Sequence, residues 1–186
     1  MFDIVLTNER IEAIRARLTE LVRIGAYKQA PPLSLTDLSK LEANFGVTLP
    51  GELQIFLTHV QSGSAGPGDG LFVCADREPL PRRSRPFPFD DRVAQQISRA
   101  RLDGTDPWAS AELPDEEEDD AWPPGPGFVP IAHHGCGVCD VIVTVGDQRG
   151  FIWCCDMNWC PCFNADGKGL AFLDWYEDWL DRKTLT

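Results

Sequence analysis

Hydrophobic residues in the first third of the chain recur at intervals of three and four, which predicts three amphipathic helices. The first should cover about 8–24, and the second about 35–45, where Gly46 suits a helix C-terminus. The third should begin at Pro50, because proline fits a first helical turn, and end near Gln61. The positions expected to be buried are Ile11, Ile14, Leu18 and Leu21, then Leu35, Leu38, Leu41 and Phe45, then Leu53, Phe56, Leu57 and Val60.

The second half of the chain has the shorter apolar runs that are typical of strands. Strands are predicted over 71–75, after a Gly- and Pro-rich loop, and over 128–132. A hairpin should follow, with strands at 140–145 and 151–155, and 161–163 reads as an edge strand. The final amphipathic helix, about 170–183, carries Phe172, Trp175, Tyr176 and Trp179 on one face, and Asp174, Glu177, Asp178 and Asp181 on the other. Helices first, then an antiparallel sheet and a closing helix, indicate an α+β fold.

Residues 77–127 differ in composition from both flanks. Prolines cluster there, and a short helix is predicted over 91–102. Residues 77–102 hold seven arginines against three acids, whereas residues 103–120 hold nine acids and no base. We therefore interpret the chain as one domain over 1–186, with an insertion at about 77–127 that is first Pro- and Arg-rich and then acidic.

The charge balance excludes several classes of function. The 186 residues have a formal net charge of −12, which disfavours binding to nucleic-acid phosphates or anionic lipid and favours a basic partner. No apolar run reaches the length of a membrane span, and the charged N-terminal stretch does not have the pattern of a signal peptide. We expect a cytoplasmic protein, whose seven cysteines are reduced, bind metal or do redox chemistry.

The octet HHGCGVCD, residues 133–140, is the densest set of chemically active side chains. One hypothesis is a zinc site formed by Cys136, Cys139, Cys160 and Cys162, because four thiolates match a structural site in type and number. It depends on a hairpin register that sets Val141 opposite Cys155 and brings Cys136 towards Cys160. Cys160-Pro-Cys162 is a poor second zinc knuckle, so a turn with free thiols is favoured and no cofactor is expected. Thiol catalysis by Cys136 with Cys139 or His134 is weaker, because no helix N-terminus or oxyanion hole supports it.

Three stretches together resemble the SUKH superfamily, which joins fungal cell-wall-assembly regulators to bacterial immunity proteins. They are LEANFGVTLPGELQIFLTHVQSG, FVPIAHHGCGVCDVIVTVGDQRGFIW and the terminal AFLDWYEDWLDRK. The resemblance implies a single α+β domain without catalytic machinery, and in many bacterial members a protein that neutralises a toxin, often a nuclease. It implies scaffold roles for Phe45, Gly46, Leu49, Pro50, Gly63, Gly135, Asp140, Gly150 and Trp153.

The candidate partner surface is the acidic run Asp115, Glu116, Glu117, Glu118, Asp119 and Asp120. It could mimic phosphates in the basic groove of a nuclease toxin, or it could be a solvated loop held by arginines of its own insertion. The leading hypothesis is a non-enzymatic immunity-type protein with a basic toxin as partner. The alternatives are a regulatory or scaffold module of the cell-wall-regulator kind, and a zinc-binding or thiol-dependent protein that uses Cys136 and Cys139.

Overall fold

The computed structural model describes residues 4–72, 81–108, 126–156 and 158–184. Its α-helices are α1 (Ile4–Arg23), α2 (Leu35–Phe45), α3 (Gly51–His59), α4 (Asp91–Leu102) and α5 (Phe172–Thr184). Its strands are β1 (Gly63–Ser64), β2 (Leu71–Phe72), β3 (Phe128–Gly135), β4 (Val138–Val143), β5 (Ile152–Asp156) and β6 (Asn158–Pro161), and a short 3-10 helix covers Pro81–Ser84. The predicted α+β class is confirmed.

All six strands join one antiparallel sheet in chain order, β1-β2-β3-β4-β5-β6. The glycine-rich segment predicted to be a loop contributes β1, whose Ser64 lies opposite Leu71. Register shifts interrupt the β3–β4 pairing near Ala132 and again before Gly135. Each interruption changes which residues of β3 face which side of the sheet.

The first face of the sheet is covered by α1, α2, α3 and α5, and the buried residues between them form what we term the first cluster. Phe56 of α3 contacts two aromatic rings of α5, those of Phe172 and Tyr176, at centroid distances of 5.1 and 4.6 Å. Ile142 and Ile152 complete this cluster from the sheet side. The predicted stripes of the helices are buried, with one exception: Leu35, at the first position of α2, is 74% exposed.

The second face is covered by part of the predicted insertion. Phe87, Phe89, Ala94 and Ile97 pack against β3, β4 and β5 in what we term the second cluster. Phe89 stacks on Trp153 with a centroid distance of 5.1 Å and an interplanar angle of 12°. Residues 81–108 are therefore an ordered layer of the core, and the sheet lies between two layers.

Local capping explains why α2 and α4 begin where the sequence predicted. The Ser34 hydroxyl accepts a hydrogen bond from the Asp37 amide at the start of α2, and the Asp90 carboxylate accepts one from the Val93 amide at the start of α4. Both are N-cap contacts that satisfy a helical donor without an intrahelical partner. Gly46 ends α2 in the left-handed conformation, with φ of 70°.

The predicted hairpin register is wrong by two residues. Val141 lies opposite Trp153, and Cys155 lies opposite Cys139. The loop between β4 and β5 is longer than predicted, since the pairing begins only at Ile142 and Ile152. β6 also begins earlier than predicted, at Asn158, and runs back directly along β5.

Candidate functional site

The octet HHGCGVCD forms the end of β3, a two-residue turn and the start of β4. Gly135 pairs with Val138, so Cys136 and Gly137 are the central residues, with φ of 52° and 82°. Positive φ at both positions is typical of the hairpin turn that matches strand twist. Cys136 is exposed at the tip. The octet is therefore a tight turn, and the hydrogen-bonded side chains of His134 and Asp140 lie on the two strands that the turn connects.

Behind the turn, a buried carboxylate joins the sheet to α5. Asp140 is 5% exposed, and its Oδ2 atom lies 2.8 Å from His134 Nε2 and 3.1 Å from Trp175 Nε1, which donates to it. The hydrogen bond to Asp140 raises the pKa of His134 above its usual value, and burial opposes that rise only in part. Because a buried carboxylate is costly without partners, these contacts stabilise the position of α5 on the sheet.

The loop before β2 packs directly on this end of β3. The amide of Asp69 donates to the carbonyl of His133 at 2.7 Å, and its carboxylate lies 3.5 Å from His133 Nδ1. Gly68 has φ of 61°, and a Cβ there would lie 2.2 Å from the same carbonyl oxygen. Only glycine allows this approach. The sequence pattern does not indicate this contact, since the two segments are distant in the chain.

The structure does not bring the four cysteines of the zinc hypothesis together. Cys139 lies in the second cluster, opposite Cys155, whereas Cys160 lies opposite Cys154 and Cys136 is exposed at the turn. The corrected hairpin register explains this outcome, since Cys136 no longer approaches Cys160. Within the described ranges, no group of three or more His, Cys, Asp or Glu side chains is placed to hold a metal ion.

Burial suppresses thiolate formation at four cysteines of β5 and the segment after it. It raises the pKa of Cys154 and of Cys155 to about 12 in each case. The pKa values of Cys160 and Cys162 are also raised by burial, and the guanidinium of Arg101 opposes the rise at Cys160. Since the thiolate is the nucleophile and the metal ligand, the raised pKa values lower the thiolate fraction at neutral pH and slow the reactions of these cysteines, least at Cys160, where Arg101 opposes the rise.

The acidic face predicted for the C-terminal helix is not simply solvated. Arg10 of α1 donates to both Asp174 and Glu177, and Arg17 pairs with Asp181 at 2.7 Å. These ion pairs join the first and last helices of the chain. The acids of α5 are therefore largely engaged within the fold, which lowers their value as a surface for a partner.

A surface cleft of about 390 Å³ lies between α1, the extended segment after it and the end of α3. Its lining includes Arg15, Thr19, Gln29 and His59, with Pro31 and Pro32 on one wall. The Nδ1 atom of His59 lies 3.0 Å from the carbonyl of Ile55 and 2.9 Å from the hydroxyl of Thr58. Three separate segments form this cleft, so no local motif could reveal it.

The predicted partner surface, Asp115–Asp120, lies outside the described residues. Described residues on both sides of it contact the second cluster, since Trp108 packs against the cluster and Phe128 of β3 belongs to it. One arginine of the insertion, Arg83, is 3% exposed, and its guanidinium lies 4.8 Å from the centre of the Phe45 ring.

Across the described residues, no helix is both long and apolar enough to cross a membrane. The model of the SMI1 / KNR4 family (SUKH-1) matches residues 32–182, from the segment before α2 into α5. The chain belongs to this family, and its α+β sheet with α5 packed on it is a SUKH-type domain. Comparison with curated proteins gives no match, and comparison with solved structures gives none.

Proposed function

We propose that this chain is a non-enzymatic, cytoplasmic protein-binding domain of the immunity type, which neutralises a basic toxin. Membership of the SUKH-1 family and the net charge of −12 support the proposal. A nuclease toxin needs a basic groove to hold phosphates, and an acidic protein that occupies the groove is steered there by charge. The partner is accordingly a basic protein, with nucleic acid and membrane disfavoured.

The observation that carries the proposal is that described residues on both sides of the acidic run pack at the second cluster. The run Asp115–Asp120 lies in sequence between Trp108, which packs against that cluster, and Phe128, which belongs to it. Anchoring the chain on both sides of a binding segment reduces the conformational entropy that the segment can lose when it binds. This layout favours a dedicated recognition surface over a solvated spacer.

The side chains that could act in catalysis are held in contacts within the fold or are little ionised, which favours a binding function over a catalytic one. His134 and Asp140 bond to each other, and Asp140 also accepts from Trp175, so their polar atoms act in packing. The raised pKa values of Cys154 and Cys155 leave little thiolate at neutral pH. An enzyme that acts through a thiol nucleophile would need that nucleophile, a base and an oxyanion site close together.

The test is affinity for the product of a toxin gene that neighbours this gene, measured at several salt concentrations. Replacing Glu116, Glu117 and Glu118 with Gln should weaken binding about tenfold at low salt, because three favourable charges are lost. The matched control replaces the exposed Asp147, Asp156 and Asp166 with Asn, which changes net charge equally and should leave affinity nearly unchanged. Toxin activity provides a second readout.

Two results would contradict the proposal. Equal losses in the two triple variants would show that only net charge matters, and absence of binding at low salt would remove that toxin as the partner. Neighbouring genes without a toxin, together with binding to an endogenous protein, would favour the alternative of a regulatory or scaffold module of the cell-wall-regulator kind.

A further inference from the structure

Two cysteines face each other across the last pair of strands. Cys154 of β5 and Cys160 of β6 are direct partners in the antiparallel register. The amide of Cys162 donates to the carbonyl of Ile152 at 2.8 Å, and the alternation of an antiparallel ladder then places Cys154 and Cys160 at a hydrogen-bonded position. Pro161, which has no amide hydrogen, falls at a position that needs no donor to β5.

This position has the spacing that a disulfide requires. Residues at a hydrogen-bonded antiparallel position have Cα atoms about 5.5 Å apart and side chains on the same face of the sheet. Disulfides form at Cα separations of about 4.4–6.8 Å. Cys154 and Cys160 therefore need only side-chain rotation and a small adjustment of β6, which is the last strand in the sheet order.

Access and local charge distinguish this pair from the other facing pair. Cys154 and Cys160 are both partly exposed, whereas Cys139 and Cys155, also direct partners, are each 2% exposed. Burial raises the pKa of Cys160 and the guanidinium of Arg101 on α4 opposes that rise, whereas burial and the Asp140 carboxylate both raise the pKa of Cys154. A small oxidant thus reaches Cys160, which packs at the border of the second cluster, before it reaches the buried Cys139 and Cys155.

We propose that Cys154 and Cys160 form an oxidation site, which closes to a disulfide between β5 and β6 when a peroxide reaches it. The Cys160 thiolate attacks one peroxide oxygen, so that an S–O bond forms, the O–O bond breaks and the leaving hydroxide takes a proton to become water. The Cys154 sulfur then attacks the Cys160 sulfenic acid; the S–S bond forms, the S–O bond breaks, and the thiol proton leaves with the hydroxide as a second water. One peroxide is reduced and two thiols are oxidised.

The direct test treats the full-length Cys136→Ser variant with hydrogen peroxide and maps its disulfides by mass spectrometry under non-reducing conditions. The substitution removes the exposed turn thiol, which would otherwise link two molecules. Endoproteinase Asp-N cuts before Asp156 and separates the peptide of Cys154 from that of Cys160, and fragmentation of the linked peptides distinguishes each from its neighbouring cysteine. A Cys154–Cys160 link that dithiothreitol reverses is the expected result.

Links through Cys155 or Cys162, sulfinic acid without a disulfide, or unchanged thiols would each overturn the proposal. Two arginine variants test the order of attack in the same mapping experiment. Arg101→Gln should slow formation of the link several-fold, whereas Arg99→Gln, on the same helix and paired with Asp103 at 2.9 Å, should not. Equal rates in the two variants would contradict initial attack by Cys160.

Discussion

The two faces of the sheet are covered by different kinds of chain. The first face is covered by four helices whose apolar residues recur at helical spacing, and it buries an ionisable carboxylate, Asp140. The second is covered by α4 and an aromatic segment with little periodicity, and the buried polar side chain that links α4 to the sheet, Gln148, is neutral. Periodic helices form a layer that the sequence reveals, whereas the second layer depends on a few large rings. Stability should therefore respond to different changes on the two faces.

Truncation of one aromatic ring on each face gives the largest expected effects. Phe89→Ala removes the ring that stacks on Trp153, and Phe56→Ala removes the ring that contacts α5. Each should lower the free energy of unfolding by about 3–5 kcal/mol, because both side chains are fully or almost fully buried. Urea denaturation measures both. A loss below about 1 kcal/mol for Phe89→Ala alone would show that the second layer is peripheral.

Asp140→Ala tests the polar link of the first face. The substitution leaves the indole N–H of Trp175 buried without its acceptor and removes the partner of His134. We expect a loss of about 2–3 kcal/mol in the free energy of unfolding, together with a change in Trp175 fluorescence. A fully stable variant would contradict the role of Asp140 in fixing α5.

Gln148→Leu tests the corresponding link of the second face. Gln148 accepts from Trp153 Nε1 at 3.3 Å and donates to the carboxylate of Asp91 at the start of α4. Its replacement should cost about 1–2 kcal/mol, less than Asp140→Ala, because the bond from Trp153 is long and the carboxylate of Asp91 is exposed, so water can replace the lost donor. A larger cost than that of Asp140→Ala would reverse the comparison between the faces.

The smallest expected effect is a pH dependence that arises on the first face. The raised pKa of His134 in the folded state means that its pair with Asp140 stabilises the fold below the unfolded pKa, and this contribution is lost as pH rises through the folded pKa. The difference in unfolding free energy between the native chain and His134→Gln should thus be larger near pH 5 than near pH 9. For Gln148→Leu, the difference in unfolding free energy from the native chain should be the same near pH 5 and near pH 9. A difference for His134→Gln that grows as pH rises would contradict the stabilising role of the protonated His134.

The elements that the sequence predicts best are those with local signals. The limits of α2 and α4 match the prediction because Ser34, Gly46 and Asp90 act through contacts within a few residues. The helical stripes of the first face were recognised for the same reason. Spacing along the chain is enough information for such features.

The parts that could not be predicted depend on distant contacts. A two-residue error in the β4–β5 register displaced every facing pair of those two strands, and the pairing of Cys154 with Cys160 was missed because β6 begins earlier than predicted. Trp175 donates to Asp140 although 35 positions separate them in the sequence, and no spacing rule connects residues so far apart. The packing of Phe87 and Phe89 against the sheet was missed because prolines separate these residues and hide any periodicity.

The central claim is that the second layer folds as one unit with the first and so supplies a rigid base for the acidic run. Native-state hydrogen exchange measures this directly, by comparing amides of α4 with amides of α5. Exchange of both helices at the free energy of global unfolding is the predicted result. Exchange of α4 through a much smaller local opening, while α5 stays protected, would contradict the account.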